Sequence, residues 1–239
     1  MHLNIYIFFL YLILLLSQSC IKVQENSIKI DFRKKGIHPD GWIEKTEWSG
    51  FESISNLCSP WKSGMSDSTV FTCFCSEQYF NFYFDVIDRD IIVNDAMDEF
   101  SVTKGDRVEL FFSPLPCLQQ YYCIEISPNG DVLDYKARLY RNFDYSWHFQ
   151  KYKIETQKAK DGYIVEGYIS LQELNKLGIN IRKGFYLGIF RAEFTSENQI
   201  TWYSWIDPQV KEPDFHIPTA FGTARFNIFL RNLLFRPLN

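Results

Sequence analysis

The sequence predicts an all-β fold, an antiparallel β-sandwich with one short helix. Three observations lead there. Aromatic residues make up 18% of the 239 residues, with 22 Phe, 14 Tyr and 6 Trp, and flat rings pack well on a pleated surface. From Val70 onward, apolar and polar residues alternate with period two through a succession of short segments. A single segment carries helix start and stop signals. With 12 Gly and 9 Pro, disorder and collagen-like repeats are excluded. A formal charge of −4 without a basic run excludes a nucleic-acid partner, because phosphate binding needs concentrated Lys and Arg.

At the N-terminus, Ile5 to Leu16 form an unbroken apolar run. As a helix it would span roughly 18 Å, short of a hydrocarbon core of about 30 Å. It reads as the apolar stretch of a signal peptide covering residues 1–19. Ser17, Gln18 and Ser19 lead to Cys20, an arrangement resembling the lipobox of bacterial lipoproteins. Cys20 is therefore the expected lipidation site, anchoring an exported chain to a membrane. Ordinary signal-peptidase cleavage nearby, giving a secreted protein, is the alternative. Residues 20–44 form a loosely patterned lead-in. Export leaves Cys58, Cys73, Cys75, Cys117 and Cys123, an odd number with no zinc spacing, read as small buried side chains.

A sandwich is expected over residues 45–230, with a short tail at 231–239. Tyr79 to Ile87 puts Phe80, Phe82 and Phe84 on one face and Asn81, Tyr83 and Asp85 on the other. Asp106 to Phe112 points Val108, Leu110 and Phe112 inward and Arg107 and Glu109 outward. Tyr121 to Ser127 separates Tyr122, Ile124 and Ile126 from Tyr121, Cys123 and Glu125. Pro128-Asn129-Gly130-Asp131 is a turn leading into Val132 to Arg138, since Asn-Gly readily supplies positive φ. Further strands are read at Gly162–Ile169, Gly184–Phe194, Ile200–Trp205 and Thr223–Phe229. The helix is Leu171 to Leu177, with Ser170 and Glu173 as a capping box and Gly178 as the stop.

The segment Trp202-Tyr203-Ser204-Trp205-Ile206-Asp207-Pro208 carries the clearest chemical signal. Two tryptophans three apart on a strand face opposite ways. With Trp205 outward, Tyr203 accompanies it and offers a flat apolar surface to a pyranose ring. Arg107, Glu109 and Glu125 share face parity, and Arg138 and Arg191 are candidates to join them. Guanidinium and carboxylate groups hydrogen-bond vicinal hydroxyls. Glu109, Glu125, Asp134 and Glu193 also leave open a glycosidase, which needs two carboxyls flanking the scissile bond. His216, between Pro213 and Pro218, could serve as a base, and the preferred reading is a Pro-bounded loop locked by its hydrogen bond.

Several stretches together resemble the family 9-like carbohydrate-binding modules: Gly105 to Phe112, Tyr121 to Gly130, Gly162 to Leu171, Phe190 to Glu193, Trp202 to Pro208, and Phe215 to Pro218 with Phe221-Gly222. The resemblance covers approximately residues 45 to 229. It implies an exported β-sandwich of the DOMON-like group that binds poly- or oligosaccharide without catalysis, with calcium as a structural ion in family members. It also implies a cleft with two aromatic platforms and charged residues between them. One platform maps to Trp205 and the glutamate to Glu109. The second platform falls on Thr103, so Tyr121 is a candidate substitute. Glycoside hydrolases acting on the same polymer are the partners this role implies, within polysaccharide utilisation. Rival readings are a xylanase-related enzyme using Glu109 or Glu125, and a structural or haem-binding DOMON-like module, for which Met is scarce (Met1, Met65 and Met97).

Overall fold

A computed structural model describes residues 26–39, 43–55, 57–62, 68–94, 98–196 and 199–227. The segment read as a signal peptide, Cys20 and the C-terminal tail lie outside the described residues. In chain order the strands are β1 (Ser27–Phe32), β2 (Ser53–Ser55), β3 (Thr69–Cys75), β4 (Tyr79–Ile87), β5 (Arg107–Ser113), β6 (Tyr121–Ile126) and β7 (Val132–Arg138). They continue with β8 (Asn142–Asp144), β9 (Tyr152–Ala159), β10 (Gly162–Ser170), β11 (Phe185–Phe194), β12 (Ile200–Ser204) and β13 (Gly222–Phe226). Helix α1 (Leu171–Lys176) follows β10. Among the described residues, no helix is long and apolar enough to cross a membrane.

The strands join edge to edge in the order β8-β7-β6-β5-β11-β13-β1-β3-β4-β10-β9, with β12 on β11 and β2 on β3. The predicted all-β sandwich with one short helix is the observed architecture. It is mostly antiparallel, and β1 supplies the exception. Ser27 to Ile30 pair in parallel with β13, and Asp31 and Phe32 then pair in parallel with β3. One strand therefore closes the first sheet and opens the second. Ile28 and Ile30 are both fully buried, which holds β1 in place although it lies in the segment read as a lead-in.

Three apolar layers result. Between the sheets, Val108, Leu110 and Phe112 of β5 and Tyr122, Ile124 and Ile126 of β6 meet Phe80, Phe82 and Phe84 of β4 and Tyr163 and Val165 of β10. A second layer covers the outer face of the first sheet, where Phe111, Tyr121, Tyr135 and Phe190 pack under Phe215, Ala220 and Phe221. A third covers the second sheet, with Ile37, Ile43 and Trp48 lying on Phe74, Tyr83 and Ile164. β5 and β6 are consequently buried on both faces. The row containing Arg107, Glu109 and Glu125, expected to face solvent, is thus a buried row.

Local chemistry explains most element boundaries. Gly130 has φ +88° and turns β6 into β7. Gly178 has φ +83° and stops α1. The expected capping box does not form, because the Ser170 side chain makes no cap hydrogen bond. Glu173 instead accepts the backbone N–H groups of Gln150 and Lys151 at 2.6 and 2.7 Å, tying α1 to the start of β9. The five cysteines are free thiols, and Cys73, Cys75 and Cys123 are buried. Burial pushes the Cys73 and Cys123 thiols well up, which suits the reading of them as inert small side chains.

A charged cleft under an aromatic layer

Strand register builds the candidate site. Glu109 of β5 stands directly opposite Glu125 of β6. Arg107 is two residues from Glu109 and pairs with Ala192 of β11, which on its other side pairs with Trp202 of β12. Side-chain alternation then sets Trp202, Arg107, Glu109 and Glu125 on one face of one sheet. The 206–221 loop folds back over this face without covering all of it. What remains open is a cleft of about 220 Å³ lined by Arg107, Glu109, Glu125, Arg141, Trp202, Pro213, Phe215 and His216.

The floor is a guanidinium between two carboxylates. Arg107 Nε donates to Glu109 Oε1 at 2.9 Å, and Glu125 Oε2 lies 2.8 Å from the same nitrogen. Arg107 also reaches the carbonyls of Thr103 and Gly105, both at 3.4 Å. All three charged side chains are nearly out of water. Burial, reinforced by the neighbouring Glu125, raises the Glu109 carboxyl well above the usual carboxylate range, against the opposing pull of Arg107. Glu125 Oε1 accepts the Tyr135 hydroxyl at 2.8 Å. Its Oε2 is buried against the Arg107 guanidinium, and the residue as a whole lines the cleft.

The walls are aromatic. The Arg107 guanidinium sits 5.4 Å from the centroid of Trp202, a cation–π contact that fixes both groups. Phe215 meets Trp202 edge-on at 5.5 Å and stacks on Phe190 at 4.2 Å. His216 stacks on Phe111 at 5.0 Å, and its Nδ1 shares a 3.0 Å hydrogen bond with the Tyr121 hydroxyl. Burial and the nearby Arg141 lower the His216 pKa to about 3, so the ring is neutral near pH 7. His216 is thus the expected loop lock. Its backbone N–H adds a hydrogen bond to Asp214, which is itself ion-paired to Arg141 at 2.9 Å.

Arg107, Glu109 and Glu125 come together, whereas four other expected site residues lie elsewhere. Tyr203 was expected outward and is fully buried on the inner face, with its hydroxyl donated to Glu193 at 2.7 Å. Trp205 turns the same way and packs half-buried against the main core. The parity argument holds, and it is Trp202 that faces the cleft. Arg191 pairs with Val108, which aims it between the sheets. There it is fully buried, bonded to Asp88 at 3.2 Å and Thr69 at 3.2 Å. Arg138 is exposed at the end of β7, where Tyr121 pairs with its neighbour Ala137 and leaves Arg138 on the opposite face. Tyr121 is buried and offers no second platform, and Thr103 bonds the carbonyl of Phe100.

Arg141 and Phe215 carry no pattern in the sequence that would single them out, because both reach the cleft from loops. The geometry bears on the rival chemistries too. Glu109 and Glu125 stand side by side on one floor and share one guanidinium, whereas glycosidase carboxyls flank the bond they cleave. For calcium, among the described residues no group of three or more His, Cys, Asp or Glu side chains is arranged to hold a metal. Two of the buried acids outside the cleft are already engaged: Asp106 accepts the N–H groups of Ile92 and Phe194, and Asp88 those of Asp90 and Arg191.

Solved structures share this fold at low identity. A Bacteroides uniformis protein inferred to bind carbohydrate superposes with a TM-score of 0.68 at 16% identity, covering 84% of this chain and 99% of that one. A family 9 carbohydrate-binding module from Caldicellulosiruptor kristjanssonii, in complex with cellotriose, gives 0.60 at 14% identity, covering 90% and 100%. A module from the same organism in complex with glucose gives 0.55 at 16% identity, covering 84% and 96%. No curated protein matches the sequence. The family described as carbohydrate family 9 binding domain-like matches residues 40–227, from the approach to the second sheet through β13, and the chain belongs to that family.

Proposed function

We propose that this protein is a non-catalytic saccharide binder and that the cleft floored by Arg107, Glu109 and Glu125 is its site. One sugar ring lies against Trp202, and its hydroxyls exchange hydrogen bonds with the three charged groups and Arg141. The observation that carries this reading is the convergence of a half-buried indole with a buried carboxylate–guanidinium–carboxylate row in one cleft. Apolar sugar faces take the ring, and polar rims take the hydroxyls. The cellotriose and glucose complexes of the Caldicellulosiruptor modules support the ligand class at the level of the fold.

The chain is exported in this reading, and Cys20 carries a lipid that tethers it to a bacterial envelope. The apolar Ile5–Leu16 run and the short approach to Cys20 support that placement. Tethering raises the local concentration of polymer beside partner glycoside hydrolases during polysaccharide utilisation. Labelled palmitate should follow the wild type and not Cys20→Ala. Isothermal calorimetry against gluco-, xylo-, manno- and chito-oligosaccharides should give micromolar-to-millimolar binding, reduced at least tenfold by Trp202→Ala and by Glu109→Gln. Equal affinity in wild type and both variants, or heat of binding with none of these sugars, would overturn the cleft as the site.

A further inference from the structure

Among the described residues, the exposed aromatic side chains are Phe100, Tyr140 and Tyr145, at 40, 62 and 36% exposure. They are not scattered. Each is linked to a cleft residue, Tyr145 and Phe100 by a row of rings that starts at His216, and Tyr140 through Arg141. Phe143 meets the cleft residue His216 edge-on at 4.9 Å, Tyr145 is 5.7 Å from Phe143, and Phe100 is 4.9 Å from Tyr145. Tyr145 also packs at 5.0 Å on Tyr135, the residue whose hydroxyl holds Glu125. On the other side, Tyr140 stands at the tip of the β7–β8 hairpin. Its hydroxyl donates to Asp214 at 2.9 Å, and Arg141 lies over its ring at 5.6 Å.

Isolated exposed apolar residues are ordinary, but a contiguous rim of them beside a charged cleft marks a contact surface. The chamber itself, about 220 Å³, is smaller than the roughly 300–1,000 Å³ of pockets that enclose a drug-sized ligand. It suits one ring, and the exposed aromatics are joined to its lining residues His216 and Arg141. We infer that the site continues from the chamber onto this rim and that its ligand is a glycan chain of several units, one on Trp202 and others against Tyr145, Phe100 and Tyr140. Tyrosine fits an exposed saccharide platform, because a ring faces the sugar while the hydroxyl stays in water. Asp214 and Arg141 fix the Tyr140 ring before ligand arrives, which lowers the ordering cost of binding.

This inference rests on the saccharide-binding reading, so its test separates the two. Affinity is measured by calorimetry for gluco-, xylo-, manno- and chito-oligosaccharides from the mono- to the hexasaccharide, with wild type, Tyr140→Ala, Tyr145→Ala and Trp202→Ala. Each variant is checked by its melting curve. Affinity should rise with chain length. Tyr140→Ala and Tyr145→Ala should each lose roughly three- to tenfold more on the longer chains than on the mono- and disaccharide. Trp202→Ala should lose binding at every length. Length-independent affinity, or rim variants that weaken every length equally, overturns the extension and leaves the cleft standing. Absence of binding in all four series overturns both. Sedimentation showing a wild-type dimer dispersed by Tyr140→Ala would assign the rim to self-association instead.

Discussion

Exchanging the fates of two tryptophans gives the sharpest test of the cleft. Trp205 packs half-buried against the core between the sheets, and its indole lies over Gly222 so closely that a Cβ there would meet it at 2.5 Å. Removing a large buried aromatic typically costs 3–5 kcal/mol, and the lower end applies to a ring that keeps some exposure, so Trp205→Ala should cost about 3 kcal/mol. For a domain of this size that corresponds to a fall of roughly 6–12 °C in Tm. Trp202 stands on the other face, held by the Arg107 contact at 5.4 Å and the edge of Phe215 at 5.5 Å. Losing those contacts should cost only about 1 kcal/mol of stability, since each is worth on the order of 0.5–1.5 kcal/mol and the ring is partly hydrated. Urea unfolding and calorimetry on both variants separate the effects. Trp205→Ala should melt early and, below its melting point, bind sugar like the wild type. Trp202→Ala should melt near the wild type and bind poorly. The opposite pattern, a stable Trp205→Ala that has lost affinity, would refute the facing of the two rings and the cleft built on it.

The remaining predictions concern charge and backbone. Glu109 has a folded pKa above its unfolded value, so its contribution to stability is complete at acid pH and is lost as pH rises through the folded value, by up to about 1.4 kcal/mol per pH unit. Glu109→Gln should flatten that decline, and a wild-type-minus-variant difference in unfolding free energy that stays constant with pH would contradict it. Arg191→Ala strands Asp88 between the sheets without its guanidinium and should cost about 3–5 kcal/mol in urea unfolding, with sugar binding to the surviving fold unchanged. At Gly162, φ is +156° and a Cβ would lie 1.9 Å from the Val86 carbonyl. Gly162→Ala should therefore sharply reduce the yield of folded protein, as read by near-ultraviolet circular dichroism.

Period-two patterning states which side chains share a face, and it does so well here. Tyr79–Ile87 and Val132–Arg138 have the bounds read from the sequence, and Arg107, Glu109 and Glu125 do lie together. The pattern does not state what covers that face. Tyr83 looks like an outer residue by alternation and is buried, because Ile37, Ile43 and Trp48 pack in the layer over it. The same limit misassigns the tryptophans: parity separates Trp202 from Trp205, but only the pairing of β12 with β11 decides which one meets Arg107. Arg191 fails for a related reason, since a one-residue difference in register with β5 sends it between the sheets. β8 and β9 escaped notice as the two ends of the strand order, where edge strands are short or carry charges, and both features blunt the alternation. β1 escaped because its partners are parallel strands far away in sequence.

That hidden covering layer also accounts for the cleft's electrostatics. A charged row on an open sheet face would be solvated and its ion pairs would count for little. Here Phe215, Phe221 and His216 close over Phe111 and Tyr121, and the open strip left between them and Trp202 is where Arg107, Glu109 and Glu125 lie. Inside such a strip the groups cannot relax into water, so they hold one another in place through Nε and through Tyr135. Preorganised groups of this kind surrender little entropy when a ligand arrives. The aromatic abundance that first suggested a β-sandwich therefore has two separate uses: one set of rings fills the interior, and a second set, folded onto the outside of the first sheet, turns an ordinary strand face into a low-dielectric cleft. A variant that opens the second layer without touching the charges, Phe221→Ala, should bring the Glu109 carboxyl back toward its usual range. Its titration, followed by carboxyl infrared absorption, should move down in pH, and an unmoved titration would mean that the covering layer does not set the field at the floor.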